Sequence, residues 1–408
     1  MSTPKNADLL IIGGGMVGAS LACALKEKPI KIVIVEAVPL HSQNQPSYDD
    51  RAIALAYGSQ RIFQGMGLWP QMAPRATPIK KIHISDKGHF GITRLDSEKE
   101  GVEALGQVIA GRDIGNVLAE QLASQENVEL LTPAKLSDIR YVEGAVEADI
   151  SQGEQTVTIK AKLMVAADGG NSSVRQLLGI ASDRQAYGQT AIIANITPGR
   201  PHNNVAYERF TDSGPLALLP MSDQRCSLVW TQWQQDVDEV MGLDDAEFLA
   251  RLQARFGYRL GALKQVGKRA AYPLCLMQSK EQIRPRLAII GNAAHAIHPI
   301  AGQGFNLGIR DVSALAECVS DALASGQDIG DLAVLQRYAE WRTQDHSEVI
   351  RFTDGLVHLF SNADPLAAFG RNVGLTLMEK LPPLKRLLGR QAMGLRGRQP
   401  RLNRGLSL

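Results

Sequence analysis

The chain has 408 residues, of which 44% are hydrophobic and 21% charged, a balance typical of a globular protein with more than one domain. Its net charge of +2 gives no reason to expect nucleic acid as a partner. The four cysteines are far apart and form no C-x-x-C pair, which excludes a zinc ribbon or disulfide framework and favours a reduced, cytoplasmic protein. The polar N-terminus lacks the core of a signal peptide, and no apolar run is long enough to span a bilayer.

The first distinctive stretch alternates two apolar runs with a helical segment. Residues 9–12 are all apolar and predict a strand buried on both faces of a parallel sheet. A helix with small residues on one side follows at 19–26, and a second buried strand at 32–35 ends at Glu36. This order predicts the opening βαβ unit of a doubly wound sheet.

Three glycines lie between the first strand and the helix with G-x-G-x-x-G spacing. Gly13 allows a tight turn, Gly15 lets the backbone approach a pyrophosphate, and Gly18 lets the helix pack against the strand. The free N–H groups of the helix then face the phosphates, and Glu36 accepts hydrogen bonds from ribose hydroxyls. We therefore predict a dinucleotide site, for which this stretch leaves NAD and FAD equally open.

The next segments carry weaker signals. Arg51 lies before a predicted helix at 59–66, where it is as well explained by a surface position as by contact with a phosphate. Residues 80–85 and 88–94 predict two strands around a turn. Arg112 opens a helix that runs to residue 125.

A second motif follows the buried strand predicted at residues 163–167. Asp168 and Gly169 end this strand, and Ser172 and Arg175 complete a D-G-x-x-S-x-x-R pattern. Strand ends of doubly wound sheets bind ligands, although Asp-Gly is also a common plain turn. The motif alone leaves both interpretations open.

Residues 186–275 change in character. Successive strand-like runs occur with a helical segment only at 244–256, and this order predicts a separate antiparallel sheet packed on the dinucleotide lobe. Its inward face would form a wall for a substrate.

A third motif follows a predicted strand at residues 286–290. Glycines at 291, 302, 304 and 308 space a loop whose backbone can lie against a flat ring, and the helix that begins near Gly304 directs its N–H groups at an anion. His295 and His298 are three residues apart, but no third ligand is close in sequence, so we predict no metal.

Together these three motifs resemble the flavoprotein aromatic hydroxylases, the single-component FAD monooxygenases, over residues 9–311. One departure is Asn292, because the family motif G-D-A-A-H has aspartate there; an amide oxygen still accepts a hydrogen bond. The form G-N-A-A followed by H-P-I-A-G-Q-G-F-N-L-G resembles the ubiquinone-biosynthesis branch. Further similarity to its 2-polyprenyl-6-methoxyphenol hydroxylases lies at residues 50–56, 208–211, 214–221, 226–230 and 354–360.

The resemblance implies an α/β fold in which a Rossmann-like FAD-binding lobe, as in para-hydroxybenzoate hydroxylase, carries an antiparallel-sheet substrate lobe and a C-terminal helical segment. The expected FAD-binding domain is discontinuous. The substrate domain fills its two gaps, and the C-terminal helices follow its last segment. The domains are 1–75, 100–182 and 276–345 for FAD, 76–99 and 183–275 for substrate, and 346–408 for the C-terminal helices and basic tail.

The resemblance also implies tightly but non-covalently bound FAD, with NAD(P)H as a transient co-substrate because no second G-x-G-x-x-G occurs. The residues that match the family's cofactor contacts are Gly13, Gly15, Gly18, Glu36, Arg51, Arg112, Asp168, Asn292, Gln303, Gly304 and Asn306. Pro299 is expected to form a wall beside the flavin. Tyr207 and Arg209 are the catalytic candidates, with His83 and Tyr272 from neighbouring segments, and no base is assigned.

The implied reaction is NAD(P)H- and O2-dependent hydroxylation of a polyprenylated phenol, 2-polyprenyl-6-methoxyphenol, through a C4a-hydroperoxyflavin that must be kept from water. Three alternatives stay open. They are hydroxylation at another ring position of the same pathway, hydroxylation of a small soluble aromatic, and a non-catalytic flavin-binding subunit of a ubiquinone-biosynthesis complex.

Charge is concentrated at the C-terminal end. Residues 380–408 hold eight of the 44 basic residues and no acid, which leaves 36 basic against 42 acidic residues in the rest. With the leucines among them, these residues predict either a surface for anionic lipid or an acidic partner, or a solvated and partly frayed tail. We therefore expect a cytoplasmic protein, with peripheral contact to the inner face of the membrane or to a lipid-carrying complex as an open alternative.

Overall fold

The computed structural model describes residues 4–40, 45, 51–298, 302–360 and 365–408, and for 357, 358, 360 and 365–371 it describes the backbone alone. Within these ranges the chain forms twenty strands and twelve α-helices. The strands are β1 Lys5–Ile12, β2 Ile32–Val35, β3 Ala52–Ala56, β4 Thr77–Ile79, β5 Lys81–Asp86, β6 Ile92–Asp96, β7 Gly106–Ala110, β8 Val128–Leu131, β9 Lys135–Val142, β10 Ala145–Gln152, β11 Gln155–Ala166, β12 Ser182–Thr197, β13 Val205–Thr211, β14 Gly214–Pro220, β15 Cys226–Trp233, β16 Gln265–Val266, β17 Ala270–Ser279, β18 Ile283–Arg284, β19 Leu287–Ile289 and β20 His295–Ala296. The helices are α1 Met16–Ala24, α2 Tyr57–Gly65, α3 Trp69–Met72, α4 Ser97–Glu100, α5 Gly111–Ala123, α6 Ser173–Leu177, α7 Val237–Gly242, α8 Asp245–Phe256, α9 Gln303–Ala324, α10 Leu332–Phe360, α11 Pro365–Lys380 and α12 Pro382–Ala392.

The first sheet is built around β1, which pairs in parallel with β11 on one side and β2 on the other. The order β18-β19-β11-β1-β2-β8 is that of a doubly wound sheet, with β10 and β9 added beyond β11. Residues 9–12 are at most 4% exposed, because strands and helices cover both faces, and this explains their unbroken apolar run. The buried strand predicted at 163–167 is the second part of a longer strand, β11, whose first part forms a hairpin with β10.

The second sheet has nine strands in the order β20-β17-β12-β15-β14-β13-β5-β6, with β16 beside β12. It is antiparallel as predicted except for one parallel pair, β13 with β5. One face packs against α7 and α8 through a core that includes Trp230, Phe248 and Phe256. The other face is directed toward the first sheet. A third sheet, β3-β7-β4, which the sequence analysis did not predict, joins the two lobes.

The C-terminal end folds back onto the dinucleotide lobe. Met393 is 2% and Leu402 is 1% exposed, and the latter belongs to the core that contains α1, α2 and α9. Arg401 pairs with Glu317 and Asp321 of α9. The alternative of a frayed tail is therefore wrong for residues 393–404, which form part of the packed structure. The observed elements confirm the predicted α/β class with two lobes and a C-terminal helical segment.

The packing of α1 on β1 predicts a large effect of a single methyl group. A Cβ atom added at Gly18 would lie 1.9 Å from the carbonyl oxygen of Gly13, which belongs to the backbone and cannot move aside alone. We expect Gly18→Ala to lower the free energy of unfolding by about 3 kcal/mol. Urea unfolding of the flavin-free protein, followed by circular dichroism, measures this change.

Gly242 provides the matched control, since an added Cβ at this end of α7 would meet nothing within 4 Å. Gly242→Ala should change the free energy of unfolding by less than about 1 kcal/mol. Equal midpoints for the two variants would contradict the close approach of α1 to β1.

Candidate active site

A cavity of about 1210 Å³ lies between the carboxyl ends of β1 and β11 and the inner face of the nine-stranded sheet. This volume exceeds the roughly 300–1,000 Å³ of an ordinary ligand pocket. The end near β1 is lined by glycines and polar side chains, and the opposite end is lined by apolar side chains. The cavity therefore has room for a dinucleotide and a second, apolar ligand.

The polar end begins at the turn after β1. Gly13 has a φ of +102°, and a Cβ there would lie 2.5 Å from the carbonyl oxygen of Ala167. The carboxylate of Glu36 accepts hydrogen bonds from the backbone N–H of Gly14 at 2.6 Å and of Val38 at 2.9 Å. These bonds fix the carboxylate where β2 ends, and Glu36, Gly13 and Gly15 all line the cavity.

The Asp-Gly motif forms the neighbouring wall. Asp168 Oδ2 accepts hydrogen bonds from the Ser173 hydroxyl at 2.8 Å and the Val174 N–H at 3.2 Å, so it is tied to the first turn of the short helix α6, whose N-cap is Ser172. Its other oxygen, Oδ1, is buried and has no hydrogen-bond partner among the described residues. Because a buried carboxylate oxygen without a partner is costly, this atom indicates a hydroxyl or N–H donor of a ligand.

The N-terminus of α9 closes the polar end. Gly302 has a φ of +62°, and a Cβ added at Gly304 would meet nothing within 4 Å, so Gly304 presents bare backbone to the cavity. Asn306 lines the cavity, but its amide donates to the carbonyl oxygens of Ala54 and Gly302 and accepts from the N–H of Ala56. Asn306 thus ties α9 to β3.

Two further predicted cofactor contacts occupy different positions around α9. Asn292 is exposed in a 3-10 turn after β19 and lines the cavity. Gln303 is 1% exposed at the first position of α9 and is absent from the cavity lining.

A buried ionic network lies behind this loop. Asp311 is fully buried, and its Oδ1 accepts from His346 Nε2 at 2.6 Å and from Arg342 Nε at 2.8 Å. Its Oδ2 accepts from His295 Nε2 at 2.8 Å and from the Gly291 N–H at 3.1 Å. Burial alone would raise the pKa of Asp311, but the adjacent His346 and Arg342 hold that pKa well below its ordinary value. The carboxylate therefore stays ionised and fixes the turn that carries Asn292.

The same cluster also has the composition of a metal site. The possible ligand atoms of His295, Asp311 and His346 lie within 4.8 Å of one another. Burial lowers the pKa of His346 to about 4, so its ring is neutral at pH 7, with Nε2–H bound to Asp311 and Nδ1 accepting from Gln282. Both carboxylate oxygens already accept two hydrogen bonds, and Arg342 supplies the positive charge. We therefore interpret the cluster as a hydrogen-bonded network.

The apolar end is formed by one face of the nine-stranded sheet. On β12, β14 and β15, residues of one parity line the cavity and those of the other parity belong to the core under α8, as the two-residue period of strands requires. Helices α10, α11 and α12 cover the far side. The apolar lining consists of Ile82, Ile84, Leu95, Leu105, Ala191, Ile193, Ala206, Phe210, Ala217, Leu219, Val229, Phe352, Leu356, Leu359, Leu375, Met378, Leu388 and Ala392.

The catalytic candidates from the sequence take different positions. Tyr207 and Tyr272 border the cavity, whereas His83 and Arg209 are absent from its lining. The Tyr207 ring nevertheless packs against the core under α8, 5.5 Å from Phe256 in an edge contact, with the His83 ring 5.7 Å away. Since His83 and Arg209 alternate with lining residues of β5 and β13, their side chains lie with the Tyr207 ring on the outer face of the sheet. Pro299 lies outside the described residues.

The two predicted arginine contacts differ in position. Arg51 lines the cavity and lies over the Tyr272 ring at 4.9 Å, so it links the two lobes. Arg112 is exposed in the first turn of α5 and is absent from the cavity lining.

Sequence reasoning missed Glu208, which lines the cavity between Ala206 and Phe210 on β13. Its neighbours in the paired strands, Ile84 and Ala217, also line the cavity. Alternation along β13 separates Glu208 from Tyr207 and Arg209, but the alternation does not say which set faces inward. That choice follows only from the register with β5 and β14.

The polar end fits FAD on the evidence of these residues. Its backbone glycines leave room for a pyrophosphate, Glu36 is placed for a ribose, and the orphaned Asp168 Oδ1 is placed to accept from a hydroxyl. The first turn of α9 lines the cavity, and the free N–H groups of a helix N-terminus favour a ligand with negative charge. Fold and site together define a flavin-dependent enzyme.

Comparison with known proteins agrees with this class. The FAD binding domain family model matches residues 6–353, and the chain belongs to that family as an FAD-dependent monooxygenase. Within these monooxygenases the chain belongs to the branch of the ubiquinone hydroxylases. The chain is 38% identical to the ubiquinone hydroxylase UbiL of Rhodospirillum rubrum over 100% of this chain and 95% of the relative, and 30% identical to the 3-demethoxyubiquinol 3-hydroxylase of Escherichia coli over 96% and 100%.

A solved structure shows the same fold. The p-nitrophenol 4-monooxygenase PnpA of Pseudomonas putida superimposes with a TM-score of 0.79 at 21% identity, covering 96% of this chain and 100% of that one. The predicted FAD cofactor and the para-hydroxybenzoate-hydroxylase-like class are thereby confirmed.

The open space at Gly304 gives a test of where the flavin lies. Gly304→Val should leave the fold intact, with the unfolding free energy of the flavin-free protein within about 1 kcal/mol of wild type. It should weaken FAD binding at least about tenfold, because the side chain occupies the space in front of the α9 N–H groups. Fluorescence titration with FAD measures this affinity. Unchanged affinity would place the flavin elsewhere.

Proposed function

We propose that this chain hydroxylates the aromatic ring of a polyprenylated phenol in ubiquinone biosynthesis, with 2-polyprenyl-6-methoxyphenol as the substrate. NAD(P)H is the transient reductant and O2 the source of the added oxygen. The observation that carries the proposal is the apolar half of the cavity, which directly adjoins the polar half suited to FAD. The two relatives named above support it, since both are named as hydroxylases of ubiquinone or of a ubiquinol.

FAD supplies the redox chemistry when bound: it accepts a hydride from NAD(P)H and reacts with O2. We propose that its pyrophosphate lies against Gly13 and Gly15 and its ribose against Glu36, while Gly18 holds α1 close to β1 so that the helix N–H groups reach the phosphates. The remaining proposed contacts within the cavity are Arg51, Asp168, Asn292, Gly304 and Asn306. Of these, Asn306 acts through its bonds to β3, which position the start of α9. Arg112 and Gln303 are proposed from the resemblance alone, since neither lines the cavity.

The apolar half performs two tasks in this proposal. Its aliphatic and aromatic side chains exclude water from the ring edge at which oxygen is activated. They also bind a hydrocarbon substituent at about 25 cal/mol for each Å² of apolar surface removed from water. A polyprenyl chain therefore gains binding free energy here that a small polar phenol does not.

Phenol hydroxylation also requires a group that accepts the phenolic proton or its hydrogen bond, because phenolate is the better nucleophile. Glu208 lines the cavity among the apolar residues of the substrate half, on the rigid strand β13. We propose that its carboxylate orients the phenol and accepts this proton. Tyr207 and Arg209 support the strand from its outer face.

Product formation tests the proposed activity. The flavin-loaded protein should oxidise NAD(P)H faster when a prenylated phenol is added, and mass spectrometry should find a product heavier by one oxygen atom. A mutant cell that lacks this chain should accumulate the unhydroxylated precursor, whose structure gives the ring position. A different precursor would reassign the position, stimulation by small phenols alone would favour a soluble substrate, and flavin binding without turnover would favour a scaffolding subunit.

Substitution of Glu208 tests its role. Glu208→Gln should lower kcat by about 10²-fold while FAD content and the rate of flavin reduction by NAD(P)H are unchanged, because only the substrate proton is affected. Arg209→Lys is the neighbouring control, whose side chain lies on the other face, and kcat should stay within about threefold of wild type. Stopped-flow reduction and steady-state turnover measure these quantities. If the two variants lost kcat equally, Glu208 would have no specific role.

The C-terminal helices give the proposed enzyme a route to its insoluble substrate. None of the described helices is both long and apolar enough to cross a lipid bilayer. Four leucines near the junction of α11 and α12 are nevertheless 43–50% exposed. They are Leu377 in α11, Leu381 between the helices, and Leu384 and Leu387 in α12. We name them the leucine patch. Met378 and Leu388, from the same helices, line the apolar end of the cavity.

Basic side chains surround the leucine patch. Lys380, Arg386 and Arg390 are exposed nearby, whereas Arg401 of the same basic segment is engaged in ion pairs with α9. Exposed leucines with adjacent cations suit an anionic lipid surface. We propose that the leucine patch rests on such a surface, so that the polyprenyl chain passes from lipid to the cavity between α11 and α12.

Vesicle binding tests this arrangement. The triple variant Leu381→Ser, Leu384→Ser, Leu387→Ser should sediment with anionic vesicles more than about tenfold more weakly than wild type, since three apolar side chains no longer enter the lipid. The control changes three equally exposed leucines elsewhere to serine, Leu177, Leu332 and Leu406. If the patch variant sedimented with the vesicles as strongly as wild type, the leucine patch would not be the lipid-binding surface.

A further inference from the structure

A second cleft, of about 310 Å³, lies beside α9. It is formed by α10, by the segment 396–403 and by Arg310 of α9. Five arginines and three carboxylates line it, so its lining has a net positive charge. They are Arg310, Arg337, Arg342, Arg396 and Arg398 with Glu340, Asp345 and Glu348. None of these residues lines the large cavity, although Arg342 also donates to Asp311.

Two of the residues that line this cleft each hold a buried polar atom without a partner among the described residues. Arg310 is 5% exposed; its Nε and Nη2 donate to Asp345, but Nη1 has no acceptor among the described residues. Asn403 is 1% exposed, and its Nδ2 donates to Gln399 while its Oδ1 has no donor in the same part of the chain. A buried guanidinium N–H without an acceptor costs more than a neutral group does. A ligand that brings both an oxygen acceptor and a hydroxyl donor would satisfy the two atoms together.

The outer end supplies further positive charge. Arg398 lies over the Trp341 ring at 4.1 Å and has no carboxylate partner among the described residues. Its backbone oxygen accepts from Trp341 Nε1 at 3.0 Å, which holds the segment in place. Arg396 is exposed, approaches Glu348 at 3.5 Å and donates from Nη1 to Gln391 Oε1 at 3.2 Å. The guanidinium group of Arg398 is therefore available to a ligand in the cleft, and that of Arg396 is only partly engaged.

We infer that this cleft binds a phosphate group, either free or carried by a small ligand. Arginines on three separate segments match an anion with several oxygens better than a planar carboxylate, and the protonated oxygen of a monoanionic phosphate can donate to Asn403. The volume is at the lower limit of small-molecule pockets and suits a phosphate with at most a small substituent. Arg310 and Arg342 are paired with Asp345, and Arg342 also with Asp311, so the net attraction for an anion comes mainly from Arg398, while Arg310 contributes its unpartnered N–H.

Calorimetric titration of the flavin-loaded protein tests this site. Inorganic phosphate, added at constant ionic strength against chloride, should bind with a Kd of about 1 mM or tighter. Arg398→Gln and Arg396→Gln should each weaken phosphate binding about tenfold, the effect of one charge-assisted hydrogen bond. Arg351→Gln is the control, since Arg351 is an exposed arginine on α10 outside the cleft. The flavin absorbance spectrum and melting temperature establish that each variant is folded.

Titration with glycerol 3-phosphate distinguishes the two sources of phosphate. An affinity for glycerol 3-phosphate above that for inorganic phosphate, and lost in the same variants, assigns the cleft to a small phosphate ester; the opposite order assigns it to the free anion. Absence of binding heat with both probes, or equal affinity in Arg398→Gln, Arg396→Gln and Arg351→Gln, would overturn the inference. Since the titration measures no turnover, its outcome is independent of the hydroxylase proposal.

Discussion

Four hydrogen bonds to the buried carboxylate of Asp311 hold together the parts of the protein that form the cofactor end of the cavity. They join α9, which carries Asp311, to the turn after β19 through Gly291 and His295, and to α10 through Arg342 and His346. A carboxylate in this position is tolerable only while every partner is present, because burial disfavours the charge. The start of α9 and the turn at Asn292 are therefore held at fixed positions before any cofactor arrives, and this preorganisation is what a ring-binding site requires.

The second constraint is the two-residue period of the nine-stranded sheet. One set of side chains builds the core against α8 and the other set builds the apolar wall of the cavity. A change at Leu218 would therefore act on stability, whereas a change at its neighbour Leu219 would act on the ligand. Helices α10 to α12 complete this wall, so the segment most distant in sequence from the dinucleotide motif determines what enters the substrate half.

The sequence predicts the dinucleotide half well because its signals are local. Residues 32–35 form β2 with the predicted bounds, and the glycine spacing fixes the turn between β1 and α1. The substrate half is less predictable, since Glu208, Tyr207 and Arg209 are adjacent in sequence and only strand register separates their faces. The network around Asp311 was missed for a similar reason. His295 and His346 are 51 positions apart in the numbering, and only the packing of α10 on α9 brings them together. The sequence also did not predict that residues 393–404 pack against the dinucleotide lobe. Their basic composition is typical of a solvent-exposed segment, and the apolar residues that are buried there, such as Leu402, are isolated in the sequence.

The central claim is that flavin and phenol occupy one continuous cavity. The most direct test is an anaerobic titration of the flavin-loaded protein with a prenylated phenol, followed by the visible absorption spectrum of the flavin. A phenol in the apolar half changes the polarity at the ring edge, so the account predicts a saturable shift of the flavin bands whose midpoint equals the phenol Kd from calorimetry. Calorimetric binding of the phenol with an unchanged flavin spectrum would contradict the shared cavity.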